Sequence, residues 1–275
     1  MKTFDQYIDD YFTSITDSTI KEAMRYALQG GKRLRSSMIF DTIRSNGKDP
    51  SIAYPFALAL EMIHSYSLVH DDLPCMDNDL LRRGKPSTFA KYGEANGLLA
   101  GDALLTEAFK ASCAFDNPNS LSVVAELSKA AGANGMVYGQ FLDLSADGKD
   151  ISLDQLKDIE VYKTGKLFTA ALRIGAILSG DDDLAFYDRL GCLIGEIFQI
   201  QDDLLDVTKT TEELGKPALS DIKNNKSTIL SFMSIEKARL LLNDMYAEVE
   251  QLFENKEFSD DSLYILVKTI ENREC

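Results

Sequence analysis

The chain reads as all-α, a single domain over residues 1–275 built as a bundle of long helices. Three observations predict this. Only six prolines interrupt 275 residues, and apolar residues recur at helical spacing through long stretches. Hydrophobic residues make up 45% of the sequence, enough for a large core, and no Pro/Gly/Ser-rich linker or shift of composition divides it.

Residues 4–15 and 18–28 read as short helices. Gly30-Gly31 ends the second, and a cationic turn follows, Lys32-Arg33-Leu34-Arg35. Residues 36–46 read as helix closed by Asn46-Gly47. Residues 52–72 form a long apolar helix that stops near Pro74, which lacks a backbone donor and disfavours helix at the residue before it. A charged loop spans 77–87. Long helices over 94–115 and 120–145 follow, the second carrying Gly132, Gly135 and Gly139, which let a neighbour approach closely. Ser152 opens a helix to about Lys163, and another spans 166–179. Ser179-Gly180-Asp181-Asp182-Asp183 is a turn and an acidic start for a helix over 184–208. Residues 209–226 read as a polar loop, and helices over 227–254 and 259–272 complete the chain.

A net charge of −15 argues against non-specific nucleic-acid or anionic-membrane binding, which want basic surfaces. Cys75, Cys113, Cys192 and Cys275 are scattered without a Cys-x-x-Cys pair, as suits reduced thiols and not a zinc site. The N-terminus lacks a secretory pattern, and no apolar run reaches the ~18 residues of a spanning helix. The expectation is a soluble cytoplasmic protein with no stable membrane insertion.

Two aspartate runs point to a site. Asp71-Asp72 is followed by Asp77, and Asp202-Asp203 by Asp206, each within apolar, helix-like sequence. Carboxylates that close repel one another, so a cation belongs between them. Asp202 and Asp206 share a helix face, with Asp203 to its side. Asp71 and Asp77 would oppose each other on a continuous helix, but the break at Pro74 lets the chain turn Asp77 back. Acids at a helix C-terminus oppose its dipole, and Mg2+ fits the need for a hard, oxygen-ligated ion. Asp181–Asp183 is the internal control: it opens a helix, where acids are favoured without metal. An EF-hand reading of Asp77-Asn78-Asp79 fails because Arg82 stands where the loop needs glycine.

Cations accompany these runs. Lys32, Arg33 and Arg35 follow Gly30-Gly31, whose backbone N–H groups can face an anion. Arg82-Arg83-Gly84-Lys85 follows the first run; Lys163-Thr164-Gly165-Lys166 sits at a helix junction; Lys216 and Lys226 follow the second run. Together they suggest two diphosphates, one bridged through metal and one held by Arg and Lys directly. Of two histidines, His64 shares a face with Asp71 and is a phosphate-ligand candidate, whereas His70 reads as a local packing residue.

On these residues the chain resembles the trans-isoprenyl diphosphate synthases, in particular the bacterial farnesyl diphosphate synthases. The matching strings are Gly31–Arg35, Glu61–His70 running into the first Asp run, Arg82–Pro86, Ala100–Leu104, Gly139-Gln140 with Leu142–Leu144, Lys163–Gly165, and Phe198–Gln201 running into the second. The resemblance implies a homodimer, each bundle enclosing a deep central cavity. It implies that Asp71, Asp72, Asp77, Asp202, Asp203 and Asp206 surround Mg2+, about three ions per site. It assigns Arg82, Lys163, Thr164, Gln199, Lys216 and Lys226 to the allylic substrate, and Lys32, Arg35, His64 and Arg83 to isopentenyl diphosphate. Catalysis would rest on Asp71, Asp72, Asp77, Lys163, Asp202 and Asp203. The implied reaction is condensation of isopentenyl diphosphate with dimethylallyl or geranyl diphosphate to farnesyl diphosphate. Alternatives are a geranylgeranyl diphosphate synthase, a class I terpene cyclase or a non-catalytic subunit of a prenyl synthase.

Departures from the pattern are Leu80 in place of a further Asp, Ser87-Thr88-Phe89 where His is common, Lys166 in place of a small apolar residue, and Asn224-Asn225-Lys226 in place of Gly-Lys. Product length in the family depends on side chains just before the first Asp run, here bulky Tyr66 and small Ser67. Tyr66→Ala is expected to lengthen the product; an unchanged spectrum in a chain-length assay excludes this role.

Overall fold

Helix α4 (Tyr54–Asp71) is the axis of the bundle, because its sequence leaves it no polar face: Phe56, Leu58, Leu60, Met62 and Ile63 are all fully buried. The structure is a computed structural model, described for residues 2–113, 117–208 and 227–273. Around α4 pack α1 (Phe4–Thr13), α2 (Thr19–Leu28), α3 (Leu34–Ser45) and α6 (Glu94–Cys113). The other helices among the described residues are a short α5 (Thr88–Tyr92), α7 (Ser120–Ala131), α8 (Met136–Ala146), α9 (Leu153–Glu160), α10 (Lys166–Ser179), α11 (Leu184–Thr208), α12 (Ile235–Glu254) and α13 (Ser262–Glu271).

Local chemistry sets many of these boundaries. Thr3 and Gln6 form a reciprocal cap on α1, as Ser152 and Gln155 do on α9. Gly180, with φ 77°, closes α10. Asp183 accepts from the Phe186 N–H at the start of α11, and Asp181 takes an ion pair from Lys256 and a hydrogen bond from Tyr187. The acidic control is therefore a structural cap.

Four expectations need correction. The predicted helix over 120–145 is two helices, α7 and α8, separated at Gly132–Gly135; a Cβ at Gly135 would stand 2.1 Å from the Ala130 carbonyl oxygen. The loop over 77–87 holds a hairpin of β1 (Leu81–Arg82) and β2 (Lys85–Pro86), turned by Arg83 and Gly84 at φ 54° and 73°. The segment Pro50–Asp71 does reach the length and hydropathy of a membrane span, but 72% of its apolar window is buried inside the bundle. The last helices begin later than predicted, after a 3-10 turn at Ile229–Ser231.

A π-helical turn at Val161–Gly165 joins α9 to α10 without a break. It is clasped between glycines of two helices. A Cβ on Gly139 of α8 would lie 2.1 Å from the Lys163 backbone nitrogen, and one on Gly195 of α11 would lie 2.8 Å from Gly165 Cα. Backbone packs on backbone here, and a methyl group has nowhere to go. Gly139→Ala is expected to destabilise the protein by ~1–3 kcal/mol or more, read as a lower urea midpoint at unchanged m-value. A wild-type midpoint would show that the clasp is loose.

Candidate functional site

The first acidic run sits where α4 stops. Beyond Asp71 the chain turns back on itself: the Asp77 N–H donates to the Asp71 carbonyl at 2.8 Å, and the Asp79 N–H to the Asp72 carbonyl at 3.1 Å. The turn after Pro74 thus returns Asp77 to Asp71, as the sequence predicts. Desolvation pushes the Asp71 carboxyl up to about 6, with nearby Asp77 and Asp72 adding to it and Lys163 opposing. Asp72, 2% exposed, is also pushed up by burial, and Arg82 partly offsets this through paired Nε and Nη2 contacts. Arg82, predicted to contact substrate, is therefore engaged with Asp72, and it reaches Asp79 at 3.5 Å.

The basic side of the site gathers at the start of α3 and on the hairpin. Gly30, Gly31 and Arg33 adopt φ of 79°, 84° and 52°, and this left-handed turn lets the Arg83 side chain press on Gly31. A Cβ at Gly31 would stand 2.8 Å from the Arg83 guanidinium carbon. The Arg35 guanidinium lies 4.6 Å over Phe168, and desolvation pushes it down to about 10. Desolvation, reinforced by Arg35, Arg83, Arg82 and Arg33, holds His64 well below its ordinary value, so its ring is neutral near pH 7. Lys32 is exposed at the rim. A cleft of about 230 Å3 opens here, with Gly30, Gly31, Ser65, Asp72, Arg82 and Arg83 in its wall.

The second acidic run lies in the last turns of α11. Asp206 is 2% exposed, and Asp203 is buried and accepts from the Ile229 N–H at 2.7 Å. Asp202, the most open of the three, pairs with Arg273 just beyond α13, whose guanidinium lies 4.0 Å over Phe198. Gln201 fixes that chain end, donating to Tyr246 Oη and to the Ile270 and Glu271 carbonyls.

The π turn links the two runs. Lys163 pairs with Asp143 at 2.6 Å and acts on Asp71, while Glu160, one turn earlier, neighbours Asp203. Thr164 is half-buried on the same turn, and Gln199 half-buried on α11. Tyr66 is buried against His70, ring centroids 5.8 Å apart, and Ser67 donates to the His64 carbonyl. His70 packs locally on Tyr66 and also reaches across to α6, its Nε2 3.0 Å from the Leu98 carbonyl, against Gly101. Lys216 and Lys226 lie outside the described residues.

The chain matches the polyprenyl synthetase family over residues 17–262. It belongs to that family. A farnesyl diphosphate synthase of Micrococcus luteus is 41% identical over 261 residues, 93% of this chain and 90% of that protein. A chloroplastic geranylgeranyl pyrophosphate synthase of Arabidopsis thaliana is 42% identical over 241 residues, 84% of this chain and 70% of that one. Among solved structures, a geranyltransferase from Helicobacter pylori, complexed with magnesium and isoprenyl diphosphate, superposes with a TM-score of 0.84 at 28% identity, covering 98% of this chain and 94% of that one.

Sequence reading of this polyprenyl synthetase missed four partners. Glu61 and Arg33 pair at 3.6 Å beneath the basic cluster, and a lone acid inside an apolar helix was a visible signal for the first. Asp143 pairs with Lys163 across two elements, and Arg273 comes from the chain end, so neither announced itself locally. Glu160 adds a titration. Desolvation, then Asp203 and Glu196, push it from 4.5 to about 8. Folded, it keeps a proton that the unfolded chain has released, so stability falls as pH rises between these values. Glu160→Gln is expected to flatten that fall and to raise stability at pH 8 by ~1–3 kcal/mol in urea titrations without divalent cations. Identical pH slopes would exclude it.

Proposed function

We propose that this polyprenyl synthetase is a short-chain prenyltransferase that condenses isopentenyl diphosphate with dimethylallyl or geranyl diphosphate, giving farnesyl diphosphate. One observation carries the reading: two aspartate runs, each with two buried members, at the ends of α4 and α11, and a separate arginine cluster on His64, stand beside one another with the π turn between the runs. A cyclase has no use for the second, basic anion site. A non-catalytic subunit has no use for intact acids.

The acids fit Mg2+ in kind. They are oxygen donors, and burial has already raised Asp71 and Asp72, so a hard cation would restore their charged forms. Among the described residues no three acidic or imidazole side chains stand grouped as a finished ligand set. Binding therefore requires Asp72 to part from Arg82, and Asp202 from Arg273. Asp71, Asp72 and Asp77 on one side, and Asp202, Asp203 and Asp206 on the other, are read as the ligands, with about three ions between them. Bound Mg2+ would supply the charge that stabilises departing pyrophosphate.

The chain's own residues do the rest. Arg82, Lys163, Thr164 and Gln199, with Lys216 and Lys226 beyond the described residues, hold the allylic diphosphate. Released from its acid partner, Arg82 adds its fork to the leaving group. Lys32, Arg35, His64 and Arg83 hold the diphosphate of isopentenyl diphosphate, keeping its double bond beside the allylic carbon. His64, being neutral, can both accept and donate there. Ionisation of the allylic C–O bond leaves a cation that the double bond attacks, and a proton is then lost, with pyrophosphate as its acceptor. The apolar faces around Tyr66 exclude water from that cation.

We read the chain as one domain, cytoplasmic and homodimeric. The dimer is supported by an exposed apolar face on α8, Val137, Tyr138, Phe141 and Leu144.

Purified protein with Mg2+, isopentenyl diphosphate and dimethylallyl or geranyl diphosphate is expected to yield a C15 diphosphate. A C20 product would favour a geranylgeranyl synthase, released hydrocarbon a cyclase, and binding without turnover a subunit role. Chelation of the metal is expected to abolish turnover, and Asp71→Asn to lower kcat by ~100-fold or more. Near-normal kcat in that variant would remove Asp71 from the catalytic set.

A further inference from the structure

The basic cluster has a physical problem. Arg33, Arg35 and Arg83 converge around His64, each guanidinium weakening its neighbours' hydration, and like charges brought together out of water repel. The side chain standing beneath them is Glu61, 5% exposed, on α4 one turn before His64. Its two oxygens do different work. Oε1 accepts from the buried Ser36 N–H at 3.1 Å. That N–H belongs to the first turn of α3, whose N-cap, Arg33, makes no side-chain cap. Oε2 pairs with Arg33 at 3.6 Å, and the same carboxylate attracts Arg35 and Arg83.

We propose that Glu61 is the positioning residue of the isopentenyl diphosphate site: from α4 it caps α3 and counters the arginines, holding the cradle assembled before the diphosphate arrives. This rests on the reading of the cluster as that site. Glu61 does not touch the substrate. It acts through Arg33, Arg35 and Arg83, and through the left-handed turn on which Arg33 sits. Without its charge the guanidiniums spread apart, and the diphosphate must regather them at its own expense.

Glu61→Gln separates charge from capping, because the amide oxygen still accepts from Ser36. Steady-state kinetics are expected to give a KM for isopentenyl diphosphate raised about tenfold, with kcat and the allylic KM within about twofold of wild type. Isothermal titration with inorganic pyrophosphate, without divalent cations, is expected to show weakened binding to the variant by a similar factor. Arg33→Gln is expected to give the same selective rise, and the double variant to be no worse than Glu61→Gln alone. An unchanged or lower KM for isopentenyl diphosphate overturns the proposal, as does a rise in both KM values to the same degree with a matching fall in kcat, which would mark a purely structural residue. Wild-type turnover with pyrophosphate affinity unaffected by Glu61→Gln refutes this role and leaves the prenyltransferase reading intact. Weakened pyrophosphate binding in a protein that never turns over isopentenyl diphosphate keeps the cradle and removes that reading.

Discussion

Charge held among apolar helices must be matched by charge, and the site of this protein follows from that constraint. Helix α4 is apolar along most of its length, yet it carries Glu61 and His64 in its middle and Asp71 at its end. The ten residues from Glu61 to Asp71 span ~15 Å of helix. A single rigid rod therefore separates a basic cluster from an acidic one by a fixed distance. Each cluster is then completed by residues that α4 cannot supply: Arg33, Arg35 and Arg83 at one, Arg82 and Lys163 at the other.

Close backbone approach is the second requirement. Gly101 admits His70 between α4 and α6, Gly175 admits Thr42 between α10 and α3, and Gly191 admits Thr169 between α11 and α10. These contacts draw α4 to α6, α10 to α3 and α11 to α10, with no room for a methyl group between them.

Much of this was readable from residues alone. The Asp runs were legible because acids in apolar sequence are conspicuous, and the return of Asp77 followed from Pro74. The structural role of Asp181–Asp183 followed from Gly180. What escaped reading has a common physical cause. Pairs such as Lys163–Asp143 and Asp202–Arg273 join residues far apart in sequence, so no local pattern signals them. The break between α7 and α8 escaped because glycine both tolerates close packing and permits a helix to stop, and periodicity does not distinguish the two. Gly139 was read for packing and does pack; Gly132 and Gly135 were read the same way, and instead Gly132 ends α7 and Gly135 begins α8. Arg82 was read by its charge and by the resemblance, and the neighbour that occupies it, Asp72, stands ten residues earlier across the turn.

The π turn between α9 and α10 carries a last consequence. Adding a residue to one turn rotates everything downstream by ~100° relative to an unbroken helix. Lys163 can thus face Asp143 and Asp71, and Glu160 Asp203, while the rod that continues from them turns Leu167, Phe168, Ala171 and Leu172 into the core. A one-residue deletion here would leave helix content and composition almost unaltered. It would nonetheless twist the ammonium and the hydrophobic stripe out of phase, so that either Lys163 leaves Asp143 or the core loses its seam.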